Sequence, residues 1–254
     1  MSEVISPFKN AHIDFKVLLV FVFGIILIQS YVEFVEESEF IVVLMPLIST
    51  SAVAVLALSV SRRYWKSKVF GRSYLLLAIA YFAVFAGELT YNAYVFVFDA
   101  DPYPSIADVF FFMIYPMSMG HLLLNIRSFR TNFTTFDKTY VSLIIISIVT
   151  IFAYFSHYFT EYSFFDFSYG LIFVGGAAAI TGFATYGLVV TRKLPLGRAW
   201  VLLVAGIMFG TIGDVWYHYL ELFEGYELAG IVNVFWYLSY WFIFYALYKH
   251  KKII

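Results

Sequence analysis

Apolar residues in this chain fall into long runs separated by short polar stretches, at about 14–34, 39–60, 72–97, 105–126, 138–158, 167–190, 198–220 and 228–248. Runs of about twenty apolar residues are long enough to cross a ~30 Å hydrocarbon core as helices. The pattern predicts an all-α polytopic membrane protein with eight transmembrane helices, residues 1–254 forming a single membrane domain. The first run is too long for a signal-peptide core and has no small-residue cleavage site, so it reads as a retained span.

Composition agrees. Hydrophobic residues make up 62% and charged residues 13%, with a mean hydropathy of +0.84. No room remains for a soluble domain. The chain has no cysteine, which excludes disulfides, thiolate catalysis and iron–sulfur clusters. No nucleic-acid partner and no cofactor is expected; the bilayer is the expected surrounding.

Charge sets the orientation. All 16 Lys and Arg fall before the first run or after the second, fourth, sixth and eighth. They are Lys9 and Lys16, then Arg62, Arg63, Lys66, Lys68 and Arg72, then Arg127, Arg130 and Lys138, then Arg192, Lys193 and Arg198, and lastly Lys249, Lys251 and Lys252. The alternate loops carry only acids: Glu33, Glu36, Glu37, Glu39, Asp99, Asp101, Glu161, Asp166, Glu221, Glu224 and Glu227. Positive charge stays inside, so both termini are expected in the cytoplasm and the protein in the cell membrane.

One stretch is written twice. Gly71–Tyr115 matches Gly197–Tyr240: Gly71-Arg72 aligns with Gly197-Arg198, Gly87-Glu88 with Gly213-Asp214, and Ile106-Ala107-Asp108-Val109-Phe110 with Ile231-Val232-Asn233-Val234-Phe235. Repeat 1 is about 10–130 and repeat 2 about 131–252. An even number of spans per repeat makes the halves parallel, and sites form where such halves meet. Gly206, Gly210 and Gly213, with Gly175, Gly176 and Gly182, offer small faces for close helix approach. Pro46 and Pro116 are expected to kink their spans. The 22% aromatic content reads first as lipid-facing and interfacial side chains.

Three carboxylates lie within spans: Glu88, Asp108 and Asp214. Intramembrane acids are expensive and mark functional sites. Glu88 follows Arg72 and Asp214 follows Arg198 by sixteen residues each. At a rise of about 1.5 Å per residue both reach ~24 Å from the cytoplasmic boundary. Asp108 and Asn233 approach from the outer side, so one outward-facing chamber would hold all four. Residues three and four apart share a helix face. Glu88 is thereby joined by Tyr91 and Asn92, and Asp214 by Tyr217 and His218; one heptad on, Asp108 shares a face with Tyr115, and Asn233 with Tyr240. Those ten residues are the candidate ligand-binding set, and Glu88, Asp214 and His218 are the catalytic candidates. Asp214 with His218 is the best acid–base pair in the chain. The alternative is a set of interhelical hydrogen bonds worth about 1 kcal/mol each.

Other chemistries fare worse. A retinal Schiff base needs a mid-span lysine, and every lysine is at a cytoplasmic end. Only His157 and His218 are placed to join the acids; zinc held by these two with Glu88 and Asp214 has no metal-spaced motif behind it, so no metal is assigned.

The segment Asp101-Pro102-Tyr103-Pro104-Ser105-Ile106-Ala107-Asp108, followed by Tyr115-Pro116, resembles the multi-span N-terminal sensory domains of archaeal and bacterial histidine kinases and diguanylate cyclases. Glu88, Pro104, Ser105, Asp108 and Tyr115 are the matching positions. The resemblance implies a sensor, and with no kinase or cyclase module in these 254 residues its output is expected to pass through a cytoplasmic or membrane signalling partner. Gly206–Asp214 also resembles the glycine–aspartate motif of lysoplasmalogenase-like membrane proteins, with Glu88 as the second carboxylate. That resemblance implies an intramembrane hydrolase. Three readings follow: a sensor-like protein binding a small amphiphile or cation, a hydrolase using Glu88 and Asp214, and a cation- or proton-coupled transporter. No run is visibly broken at its middle, which counts against the last.

Overall fold

The computed structural model describes residues 13–35, 39–159, 163–194, 197–223 and 225–253. Glu3, Lys9, His12, Glu36, Glu37, Glu161 and Glu224 lie outside them, as do the side chains of Glu39, Lys251 and Lys252. The described residues are helical, without strands: α1 (Phe15–Phe34), α2 (Glu39–Arg63), α3 (Phe70–Phe96), α4 (Ile106–Phe112), α5 (Ile114–Phe129), α6 (Thr135–Phe159), α7 (Phe164–Thr191), α8 (Gly197–Leu220) and α9 (Asn233–Ile253).

Seven of the segments are long and apolar enough to cross a membrane, with α4 and α5 counted together as Ile106–Phe129. The protein is therefore a multi-pass membrane protein in contact with lipid. The predicted eighth span is α9, which falls short of that apolarity because six of its residues are Trp or Tyr. It also starts later than the predicted 228, since turns run up to Val232.

The fourth run is interrupted in the turn before Pro116, where a kink is expected. Pro116 has no N–H and its ring crowds the carbonyl four residues back. That residue is Phe112, where α4 stops; α5 starts at Ile114. Pro46 sits inside α2 without ending it, and Thr50 Oγ1 donates to the Pro46 carbonyl at 2.7 Å.

The helices close a ring. α2 packs on α3, α3 on α5, α5 on α7, α7 on α8, α8 on α9, and α9 returns to α2. α1 lies outside against α9, and α6 outside against α7. α1 buries only Ile25, Gln29 and Val32, and turns Leu19, Phe23, Leu27 and Phe34 outward. Such an apolar outer face belongs in lipid, where a helix has satisfied its own backbone. Gln29 ties α1 inward, donating to the Ala229 carbonyl at 2.6 Å.

Glycine permits a close crossing of α8 on α9: a Cβ at Gly206 would lie 2.5 Å from the Ile243 side chain and 2.9 Å from the Ser239 carbonyl oxygen. The aromatic residues divide: Phe15, Phe23, Phe34, Phe40, Phe136 and Phe164 face outward, as the lipid-facing reading expects, and others do not. Tyr74, Tyr81, Tyr115, Tyr186, Tyr237, Tyr240, Tyr245 and Trp200 are all buried.

Candidate functional site

At the centre of the ring lies a cavity of about 140 Å³, lined from α2, α3, α4, α5, α7, α8, α9 and the α8–α9 loop. Glu88, Tyr91, Asn92, Asp108, Tyr115, Asp214, Tyr217, His218, Asn233 and Tyr240 all line it. Among the described residues three carboxylates face this space and no Lys or Arg does. Its walls are apolar, from Leu77, Val84, Leu122, Ile180, Leu203 and Ile207.

Asp214 is held on both oxygens. The Tyr115 hydroxyl of α5 donates to Oδ2 at 2.9 Å, and the Trp236 indole N–H of α9 donates to Oδ1 at 3.0 Å. Glycines make room for both donors: a Cβ at Gly176 would meet the Tyr115 ring at 2.6 Å, and one at Gly213 the Trp236 Nε1 at 2.6 Å. Donors to a charged acceptor form the stronger class of hydrogen bond. Asp214 is thus a fixed acceptor.

Glu88 is the opposite case. Its side chain takes no hydrogen bond from any described residue; Asn92 Nδ2 donates instead to the Glu88 backbone carbonyl at 2.8 Å. The carboxylate keeps some accessible surface because it faces the cavity. Aromatic rings surround this end. Tyr226 lies 6.3 Å from Tyr91, 5.3 Å from Tyr217 and 5.9 Å from Trp236, between ring centroids. Tyr217 and Trp236 are 5.6 Å apart.

Asp108 and Asn233 have local structural work. Ser105 caps α4: Ala107 N–H donates to Ser105 Oγ at 3.2 Å, and the Ser105 N–H donates to Asp108 Oδ2 at 2.7 Å. This is a capping box. Much of the Pro-Tyr-Pro-Ser-Ile-Ala-Asp stretch is thereby a helix start, preceded by a cis Tyr103–Pro104 bond. Asn233, at the start of α9, accepts from the Tyr226 hydroxyl at 2.7 Å and donates to the Leu228 carbonyl at 2.7 Å. Asp108 and Asn233 each lie in the first turn of a helix.

The expected Asp214–His218 pair does not form. Asp214 is bonded to Tyr115 and Trp236, and His218 Nδ1 is buried without a partner, its ring 4.8 Å from Phe173. His157 lies exposed on α6, away from the cavity lining. Among the described residues no three His, Asp or Glu come together as a metal-holding group.

No family model matches the chain. No curated protein or solved structure matches it either. The site therefore stands on its own geometry.

Sequence reasoning missed Trp236, Tyr226, Tyr81 and His121, which also line the cavity. Trp236 follows Asn233 at helical spacing and that signal was available; Tyr226 sits in a loop, where no periodicity marks it. Beyond the spans, Glu221 continues the acidic end. It accepts the Tyr226 N–H at 3.2 Å. Burial, the largest influence, pushes its carboxyl above the ordinary range; hydrogen bonds from Tyr217 and Tyr226 oppose this, and Asp101 and Asp108 add to it.

Proposed function

We propose that this protein is an eight-span, sensor-like membrane protein that binds a small cationic amphiphile in the central cavity and acts through a signalling partner. The observation that carries the reading is the single cavity lined by all ten candidate residues from both halves of the chain. Its charged groups are acids without a base, and its aromatic end suits a positive headgroup, since aromatic faces attract cations. Its apolar walls suit a short hydrocarbon tail. The packing order of the ring supports two parallel repeats: α2 on α3 recurs as α7 on α8, α3 on α5 as α8 on α9, and α5 on α7 as α9 on α2, while the outer helices α1 (on α9) and α6 (on α7) do not correspond. The distribution of Lys and Arg supports cytoplasmic termini in a cell membrane. Mass spectrometry of small molecules co-purifying with the wild type tests the reading. A cationic amphiphile absent from Glu88→Gln is expected; identical profiles refute it.

A lysoplasmalogenase-like hydrolase is favoured by one further observation. Two of the three carboxylates facing the cavity are unlike, Asp214 fixed by two donors and Glu88 free of them. Such a pair has the division of labour of an acid–base couple. Incubating the purified protein with lysolipids and finding no released aldehyde or fatty acid ends that reading.

A further inference from the structure

A second recess lies on the outside of the ring. α6 and α8 both pack on α7 and scarcely touch each other, which leaves a groove of about 570 Å³ between them. α6 walls it with Ile151 and Phe155, and α8 with Met208, Ile212, Trp216 and Tyr219. Among the described residues α7 lines it with the short side chain of Thr181 alone, so the floor is low, and no charged group faces it. Ile151, Phe155, Met208 and Ile212 are each between 43% and 53% exposed, so the groove opens sideways, away from the bundle. It is continuous with the outward apolar face of α6 at Leu143, Ile146 and Tyr158, within segments long and apolar enough to span a membrane. The groove therefore belongs to the surface that meets lipid.

Its floor has nothing to offer a polar ligand. The hydroxyls of Thr181 and Thr211 lie 2.6 Å apart, and that of Thr211 donates to the Ala177 carbonyl at 3.3 Å. Both are satisfied within the protein. An apolar recess stays dry, and while empty it forfeits the dispersion contacts of its lining. Hydrocarbon restores them. From Met208 to Tyr219 the groove runs about 16 Å along α8, at about 1.5 Å per residue. One leaflet of a ~30 Å hydrocarbon core is about 15 Å deep. The distribution of Lys and Arg puts Arg198 at the cytoplasmic end of α8 and Tyr219 at the outer end. Trp216 and Tyr219 are the residue types that sit at headgroup level.

We propose that the groove between α6 and α8 is a binding site for one acyl chain of an outer-leaflet phospholipid, with its ester end beside Tyr219 and its methyl end beside Met208. Thr211 also lines the central cavity, so a single side chain separates the lipid tail from whatever the cavity holds. The site does not depend on what the cavity binds. The outer face of α1, with Phe23 60% and Leu27 69% exposed, is the reference for unselective lipid contact.

The test uses the full chain in phosphatidylcholine bilayers doped with a phosphatidylcholine that carries a diazirine in mid-chain. The protein is extracted, washed in detergent and irradiated, and its lipid adducts are located by mass spectrometry. Adducts around Ile151, Phe155, Met208 and Ile212 are expected to exceed those on α1 at least tenfold. Ile151→Trp and Ile212→Trp fill the groove from its exposed walls, and together are expected to cut its adducts at least fivefold while leaving those on α1 unchanged. Groove adducts within twofold of those on α1 overturn the proposal, as does an unchanged groove signal in the folded double variant. A dimer that the double variant breaks, with no lipid adduct in the groove, also overturns it, since a second copy is then the occupant. Should the double variant aggregate, the wild-type comparison of groove with α1 decides.

Discussion

A methyl group on Gly213 tests how Asp214 is held. A Cβ there would sit 2.6 Å from Nε1 and 2.7 Å from Cδ1 of Trp236. Ordinary contact is about 3.5–4.0 Å, so the indole must retreat by roughly 1 Å. Its N–H, 3.0 Å from Asp214 Oδ1, then loses the hydrogen bond. Overpacking costs about 1–3 kcal/mol. A lost hydrogen bond to a charged group costs about 1.5–3 kcal/mol. Helix propensity returns about 1 kcal/mol, so Gly213→Ala is expected to destabilise the protein by about 3 kcal/mol. Unfolding of the purified protein in detergent measures this against Gly175→Ala, whose Cβ meets nothing within 4 Å and which is expected to be neutral or slightly stabilising. The damage should run through the indole, so Gly213→Ala must cost less in a Trp236→Phe background. A Gly213→Ala protein as stable as wild type, or a cycle additive within about 0.5 kcal/mol, refutes the account.

Three further outcomes are expected. Glu221 has its folded-state pKa raised above the ordinary value of 4.5, so the stability it contributes is complete below that value and is lost as pH rises through the folded one; thermal midpoints across this window should fall for wild type and flatten for Glu221→Gln. Asp108→Ala removes the capping-box carboxylate and is expected to cost about 1 kcal/mol, while Asp108→Asn, which keeps an acceptor, costs less; chemical unfolding ranks them. Ser73→Ala strips His121 Nδ1 and Asn125 Nδ2 of a shared partner and is expected to cost about 1–3 kcal/mol by the same measurement.

The helices were legible in the sequence because the bilayer demands length and apolarity, and both are written locally. The convergence of Glu88 and Asp214 on one cavity was legible because equal spacing from Arg72 and Arg198 sets equal depth. What depth and helical spacing cannot give is rotation. Asp214 and His218 share a face in sequence, yet Asp214 bonds to Tyr115 and Trp236 on α5 and α9. The break at Met113 needed only the carbonyl clash of Pro116 carried back four residues to Phe112. Tyr74, Tyr81, Tyr186, Tyr237 and Tyr245 escaped notice because a Tyr in a span looks alike from either side, and only the ring order of the helices decides between lipid and core.

That ring has a consequence for biosynthesis. The seam that closes it joins α2 to α9, and the outer helix α1 is pinned by contacts across nearly the whole chain: Gln29 to the Ala229 carbonyl, and the Asp14 N–H to the Tyr245 hydroxyl at 3.0 Å. None of these can form until α9 has been made. Until then the acids of the first half stand in an open cleft rather than a chamber, in reach of lipid and of insertion chaperones. The cavity closes only once α9 has been made.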